Sequence, residues 1–196
     1  MTEKVFIIHG WEGSPKEPML KWLASSIENK GYEVTVPTMP NPEKPTIDEW
    51  VGKLKEIAPE VNEHTYFIGH SVGCQTILRY LESLPEGTKC GGVLLLAPWL
   101  HLNEQIIEEG EEEVEEIAKP WIETPINFEL VRSHIIRIAA IFSDNDPYVP
   151  MSDKDIFNAL LGADIHIEHE KGHFTEEEGV TQLPSALEYF TKISQA

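Results

Sequence analysis

"TYFIGHSVGC", residues 65–74, passes from an apolar run through Gly69-His70-Ser71-Val72-Gly73 into a helical pattern. Tyr66, Phe67 and Ile68 favour an extended, buried strand. Cys74, Ile77, Leu78 and Leu81 then recur at i, i+3, i+4 and i+7, which is one face of a helix. A relaxed strand-to-helix connection accepts many residues and has no need of two glycines. Glycine on both sides of a serine relieves crowding in a sharp turn, so that the hydroxyl stands clear at the head of the helix. This is the G-x-S-x-G nucleophile elbow in the context that the pattern requires, strand before and helix after. The competing reading is a tight turn with a buried serine, and the rest of the chain has to decide between them.

Outward from that stretch the elements alternate. "KVFII" (4–8), "YEVTV" (32–36), residues 65–69, "GVLLLAP" (92–98), "IRIAAIF" (136–142) and "DIHIEHE" (164–170) read as strands. The two longest apolar runs suit central parallel strands, and the alternation of Ile165 and Ile167 with polar neighbours suits an edge. Helices are expected through Met19, Trp22, Leu23 and Ile27, through Ile47–Ile57 behind a Thr46/Glu49 capping box, after the elbow, and through Leu183, Ala186, Leu187 and Phe190. Strands alternating with helices imply an α/β fold, a three-layer α/β/α sandwich around a parallel sheet of roughly six strands. Right-handed crossovers send every strand the same way, so the loops at the carboxyl ends share one edge, where such sheets bind ligands. The unusual loops "HGWEG", "GHSVG", "SDNDPYVP" and "EKGHF" are therefore expected to meet there.

Composition limits the classes of function. A chain of 196 residues with 41% hydrophobic and 25% charged residues suits one domain, 1–196, able to bury its own core. Its formal charge of −19 opposes binding to phosphate backbones and anionic lipid, so nucleic-acid and membrane partners are not expected. Two cysteines, Cys74 and Cys90, are too few for a disulfide framework. With no targeting or spanning segment apparent, the expected location is the cytoplasm. Neither a HExxH or CxxC pair nor a phosphate-cradling glycine loop occurs, so no metal and no cofactor is expected.

A serine hydroxyl needs a base, and the base needs an orienting group. Of eight histidines, His173 in "KGHF" sits in the loop after the last strand, with Gly172 allowing the turn, and is the expected base. His70 lies too close to the serine in the chain and reads as structural. His9 belongs to a turn, His166 to the edge strand, and His169 to the strand pattern's end; His64, His101 and His134 precede strands or lie in the irregular middle. The acid should come from "SDNDPYVP". Asp146 is favoured over Asp144 because Asp-Pro-x-x-Pro holds it in a stiff turn, whereas Asp144 suits backbone capping. Two N–H donors are needed for an oxyanion: Val72, after the nucleophile, and Trp11, in the loop after the first strand.

The segments "VFIIHGWEGS", "VPTMPNPEKPTIDEW", "TYFIGHSVGCQTILRYLE", "SDNDPYVP" and "KGHFTEEEG" together resemble the small α/β-hydrolase family of YdeN-type and retinoblastoma-binding-type serine hydrolases. The resemblance spans nearly the whole chain, and its proline-rich stretch and "GHF" ending are more specific than the elbow. It implies a reduced α/β-hydrolase core and a triad of Ser71, Asp146 and His173, and it leaves the substrate open.

Residues 99–134 break the alternation and stand where such folds insert a lid. Within 104–119, Ile107, Gly110, Val114 and Ile117 share one face and eight glutamates lie largely elsewhere. That pattern suits either a solvated surface helix or a cap that discourages anionic acyl groups. Trp99, Leu100, Trp121, Phe128 and Tyr148 are candidates for an apolar acyl pocket, and equally for core. The expected activity is cofactor-independent hydrolysis of a carboxylic ester, or of a thioester or small amide, by an acyl-enzyme on Ser71, with a small acyl compound as partner. The alternative is a hydrolase-like fold used as a protein-interaction module.

Overall fold

Six strands, β1 (Lys4–Ile8), β2 (Glu33–Thr35), β3 (Thr65–His70), β4 (Cys90–Leu96), β5 (Ile135–Ser143) and β6 (Asp164–Glu168), pair side by side in the order β2-β1-β3-β4-β5-β6. Every neighbouring pair is parallel. The computed structural model describes residues 2–103, 106 and 112–195. β3 and β4 are buried along their whole length, which is why their sequences run apolar without alternation. β6 closes one edge and is only half-buried.

The pleat of β1 sorts its side chains between two cores. Val5 and Ile7 face α1 (Pro18–Glu28) and, near the C-terminus, a helix over Pro184–Ser194; Met19, Leu20, Leu23, Ile27, Phe190 and Ile193 complete that layer. Phe6 and Ile8 face the opposite layer, built from α2 (Ile47–Ile57), α3 (Val72–Glu82), α4 (Glu112–Glu123), α5 (Phe128–Ser133) and α6 (Asp153–Leu161); in chain order the Pro184–Ser194 helix is α7. Helices on both faces of one parallel sheet make the expected three-layer α/β/α arrangement. α1 and α7 each open on a proline, whose missing N–H costs nothing in the first turn. Thr46 caps α2 by accepting from Glu49 N, as its spacing implied.

The proline-rich stretch 37–45 is tied down by indoles. Trp11, Trp50 and Trp121 donate Nε1–H to the carbonyls of Glu43, Pro40 and Pro45 at 2.9, 2.7 and 3.0 Å. His9 adds an acceptor, its Nε2 taking Met39 N at 3.0 Å. Prolines supply carbonyls without matching N–H donors, so donors come from other parts of the chain, including Glu12 N to the Pro42 carbonyl at 2.8 Å. The stretch becomes a fixed wall beside the end of β1.

Within 99–134 the later part packs into the core. Ala118, Trp121 and Val131 are buried, and Arg79 of α3 donates to the carbonyls of Trp121 and Thr124 at 2.9 and 2.8 Å. Ile107 and Gly110 of the expected amphipathic face lie outside the described residues, as does the side chain of Val114. Among the described residues, no helix is long and apolar enough to cross a membrane.

Candidate active site

Ser71 sits where β3 ends and α3 begins, beside the point at which the strand order reverses between β1 and β3. Its N–H continues the sheet ladder by donating to Leu96 O at 2.9 Å. Its backbone then turns to φ 53°, ψ −122°, a region that a residue with a Cβ adopts only under constraint, at a cost of about 1–3 kcal/mol. The flanking glycines are what allow the turn. A Cβ on Gly69 would lie 2.7 Å from both N and Cα of Cys74; one on Gly73 would lie 2.4 Å from Ile8 O and 2.6 Å from His9 O. Helix α3 is pressed against the ends of β1 and β3, and only bare backbone fits the gap. The paired glycines of "GHSVG" therefore serve close approach.

His173 follows β6, and Asp146 follows β5. They meet at the same sheet edge, His173 Nδ1 to Asp146 Oδ2 at 2.8 Å. The Asp146 side chain is almost fully buried, and its other oxygen, Oδ1, accepts from Tyr148 N at 2.8 Å and Val149 N at 3.1 Å. Those donors belong to the Asp-Pro-x-x-Pro turn, so the carboxylate is aimed by its own loop. Accepting the Nδ1 proton gives the neutral imidazole its lone pair on Nε2. His173 N donates to Glu178 Oε2 at 2.6 Å, its carbonyl accepts from His70 Nε2 at 2.8 Å, and the Tyr148 ring meets the imidazole edge-on at 5.0 Å. Asp144 is employed elsewhere: it is exposed, with its oxygens on His169 Nδ1 at 2.6 Å and Glu170 N at 2.9 Å.

Ser71 and His173 line one cavity of about 600 Å³. No hydrogen bond joins the hydroxyl to the imidazole, as is common before substrate draws such groups together. Trp11 lines the same cavity, and Val72 opens α3 behind the serine. Of the five residues considered for an acyl pocket, Trp99 and Tyr148 line this cavity, joined by Leu102 and Ile106. Leu100, Trp121 and Phe128 do not. Each is spent on packing: Trp121 is buried against Pro45 of the proline-rich wall and Arg79 of α3, and Leu100 and Phe128 pack half-buried on the helical core.

Two carboxylates near the site escaped the reading of the sequence. Glu178 receives His173 N, Thr175 N and Thr175 Oγ1. Glu17, which lines the cavity, receives Ser14 N at 2.7 Å. Both stand at the fourth position of a Ser/Thr-x-x-Glu string, a capping signature that could have found them. Burial raises the Glu17 carboxyl above the ordinary range. Burial, followed by the neighbouring charge of His173, drives His70 down to about 3, so it stays neutral. His9 is likewise lowered by burial. Among the described residues, no cluster of three or more His, Cys, Asp or Glu side chains is arranged to hold a metal ion.

The chain matches a family model described as serine hydrolase over residues 5–192. It is 30% identical to YdeN of Bacillus subtilis over 192 residues, covering 97% of this chain and 96% of the relative. It is 23% identical to serine hydrolase RBBP9 of Rattus norvegicus over 171 residues, 87% of this chain and 81% of that one. The crystal structure of the B. subtilis ydeN product superposes with a TM-score of 0.88 at 27% identity over the full length of both chains. Est1E of Butyrivibrio proteoclasticus, solved with ferulic acid bound, superposes at 0.71 with 15% identity, covering 96% of this chain and 88% of that one, a likeness of fold. A strained serine between close-packed glycines, sharing one cavity with a carboxylate-held histidine, is thus joined to a full-length family match: the chain belongs to the serine hydrolase family, on an α/β-hydrolase fold.

Proposed function

We propose that the chain cleaves a carboxylic ester through an acyl-enzyme on Ser71, with His173 as base and Asp146 as its orienting acid. The observation that carries this reading is the 2.8 Å contact between His173 Nδ1 and a buried Asp146 carboxylate, at the edge of the cavity that Ser71 also lines. As Ser71 Oγ attacks the carbonyl carbon, its proton passes to His173 Nε2, and the imidazolium forms beside Asp146. The carbonyl oxygen becomes an oxyanion, which the N–H groups of Trp11 and Val72 receive. The intermediate then collapses: the C–O bond to the alcohol breaks, and the alcohol leaves with the proton from Nε2. Water repeats the sequence on the acyl-enzyme and releases the acid. Thioesters and small amides suit the same steps. Trp99, Leu102 and Ile106, from the first part of 99–134, cover the acyl side of the cavity in this reading.

A fluorophosphonate probe tests it. Native protein is expected to label, and Ser71→Ala is expected not to, with labelling rate and ester turnover falling together. Folded native protein that neither labels nor hydrolyses any member of an ester panel would favour the interaction-module reading instead.

A further inference from the structure

Glu17 is the half-buried carboxylate of the cavity wall, and the proposed mechanism gives it no role. Its Oε1 accepts from Ser14 N; its Oε2 stands 3.9 Å from His70 Nδ1. His70 spends its Nε2 proton on the His173 carbonyl, so Nδ1 carries a lone pair and is itself an acceptor. That nitrogen is buried and without a partner. Two acceptors facing one another with no proton between them are unfavourable, and a buried polar atom left in this way calls for an explanation. Their separation suits a single donor placed about 2.8 Å from each.

A donor that also carries positive charge would serve both acceptors and the charge of the Glu17 carboxylate. Burial raises the Glu17 carboxyl above the ordinary range, and the Ser14 N–H and the charge of His173 offset only part of that. Among the described residues the lining holds no lysine or arginine, and His70 remains neutral, so a bound cation would add to the little that His173 supplies. Glu12, Glu176 and Glu177 line the rim of the same cavity. They are exposed, so water and salt weaken each of them, yet all carry the same sign. An anionic substrate meets four like charges there, whereas an ammonium group meets a favourable field and a half-buried acceptor.

We infer that the cavity selects acyl substrates bearing a protonated amine, received by Glu17 Oε2 with His70 Nδ1 as the second acceptor. The inference names a substrate class for the hydrolytic reading above and rests on it for turnover, while binding can be measured apart from turnover. The probes are p-nitrophenyl esters of ε-aminohexanoic, heptanoic and heptanedioic acids, which end one chain length in ammonium, methyl or carboxylate. Their binding to the Ser71→Ala protein is measured by calorimetry at low salt. The ammonium-ended ester is expected to bind about tenfold tighter than its methyl isostere, and the carboxylate-ended ester weakest. Raising salt from about 0.01 to 0.5 M should shrink the difference. Adding Glu17→Gln should remove most of it. Equal binding of the ammonium and methyl esters overturns the inference, as does a preference that neither salt nor Glu17→Gln alters. If native protein fails to label with fluorophosphonate, the hydrolytic reading falls while the binding comparison still decides this one.

Discussion

Asp146→Asn changes one oxygen to an NH2 group and leaves the shape of the side chain unaltered. The position is almost wholly buried, so its three hydrogen bonds must be remade in place. Tyr148 N and Val149 N, at 2.8 and 3.1 Å, both require an acceptor, and asparagine has a single acceptor oxygen. That oxygen stays with the two backbone donors, and the NH2 group turns to His173. An NH2 opposite Nδ1 favours the tautomer with its proton on Nε2, the nitrogen that has to receive the Ser71 proton. The base is then occupied while the geometry is kept. A tautomer error of this kind in serine-protease triads lowers kcat by about 10⁴-fold, and a loss of about 10³–10⁴-fold is expected here. Exchanging charge-assisted for neutral hydrogen bonds should cost stability of about 1–3 kcal/mol, several degrees in Tm for a chain of this size. The assay is kcat and KM on a p-nitrophenyl ester, with melting followed by circular dichroism and Asp144→Asn as the control. The Asp144 side chain bonds to His169 Nδ1 and Glu170 N, so its variant should keep activity within about threefold. A loss under tenfold in Asp146→Asn, or equal losses in the two variants, would refute the assignment of the acid.

Three further outcomes follow from the elbow and its neighbours. Ser71→Gly relieves the positive-φ backbone, so Tm should rise by a few degrees while fluorophosphonate labelling disappears; a lower Tm would mean that the turn stores no strain. Gly73→Ala would set a methyl 2.4 Å from Ile8 O and should cost about 3 kcal/mol or more, together with labelling; a variant that melts and labels like native protein would contradict the close packing of α3. His70 is depressed to about 3, so the unfolded chain binds its proton first, and the associated stability is present above about pH 6.5 and lost as pH falls towards 3. The slope from this one group is at most about 1.4 kcal/mol per pH unit, and denaturant titrations should find it flattened in His70→Gln; identical acid slopes would remove His70 as a cause.

The sequence by itself determined the strands, their common direction and the place of the serine, because these rest on local patterns. Runs such as Gly92–Leu96 have only one environment in which an uninterrupted apolar strand is stable, and glycine–serine–glycine between strand and helix has few other uses. It also narrowed the acid to a pair of aspartates in one loop. Tertiary structure decided between them: Asp146 is buried and meets His173, whereas Asp144 is exposed and meets His169. It separated Trp99 and Tyr148, which line the cavity, from Trp121, whose indole is spent on the Pro45 carbonyl. It set Glu17 and Glu178 beside the site, where the local pattern marks them only as caps of Ser14 and Thr175. Hydrophobic periodicity encodes which face is buried. Which partner a polar or aromatic side chain finds depends on segments brought together from across the sheet, and no local pattern records that meeting.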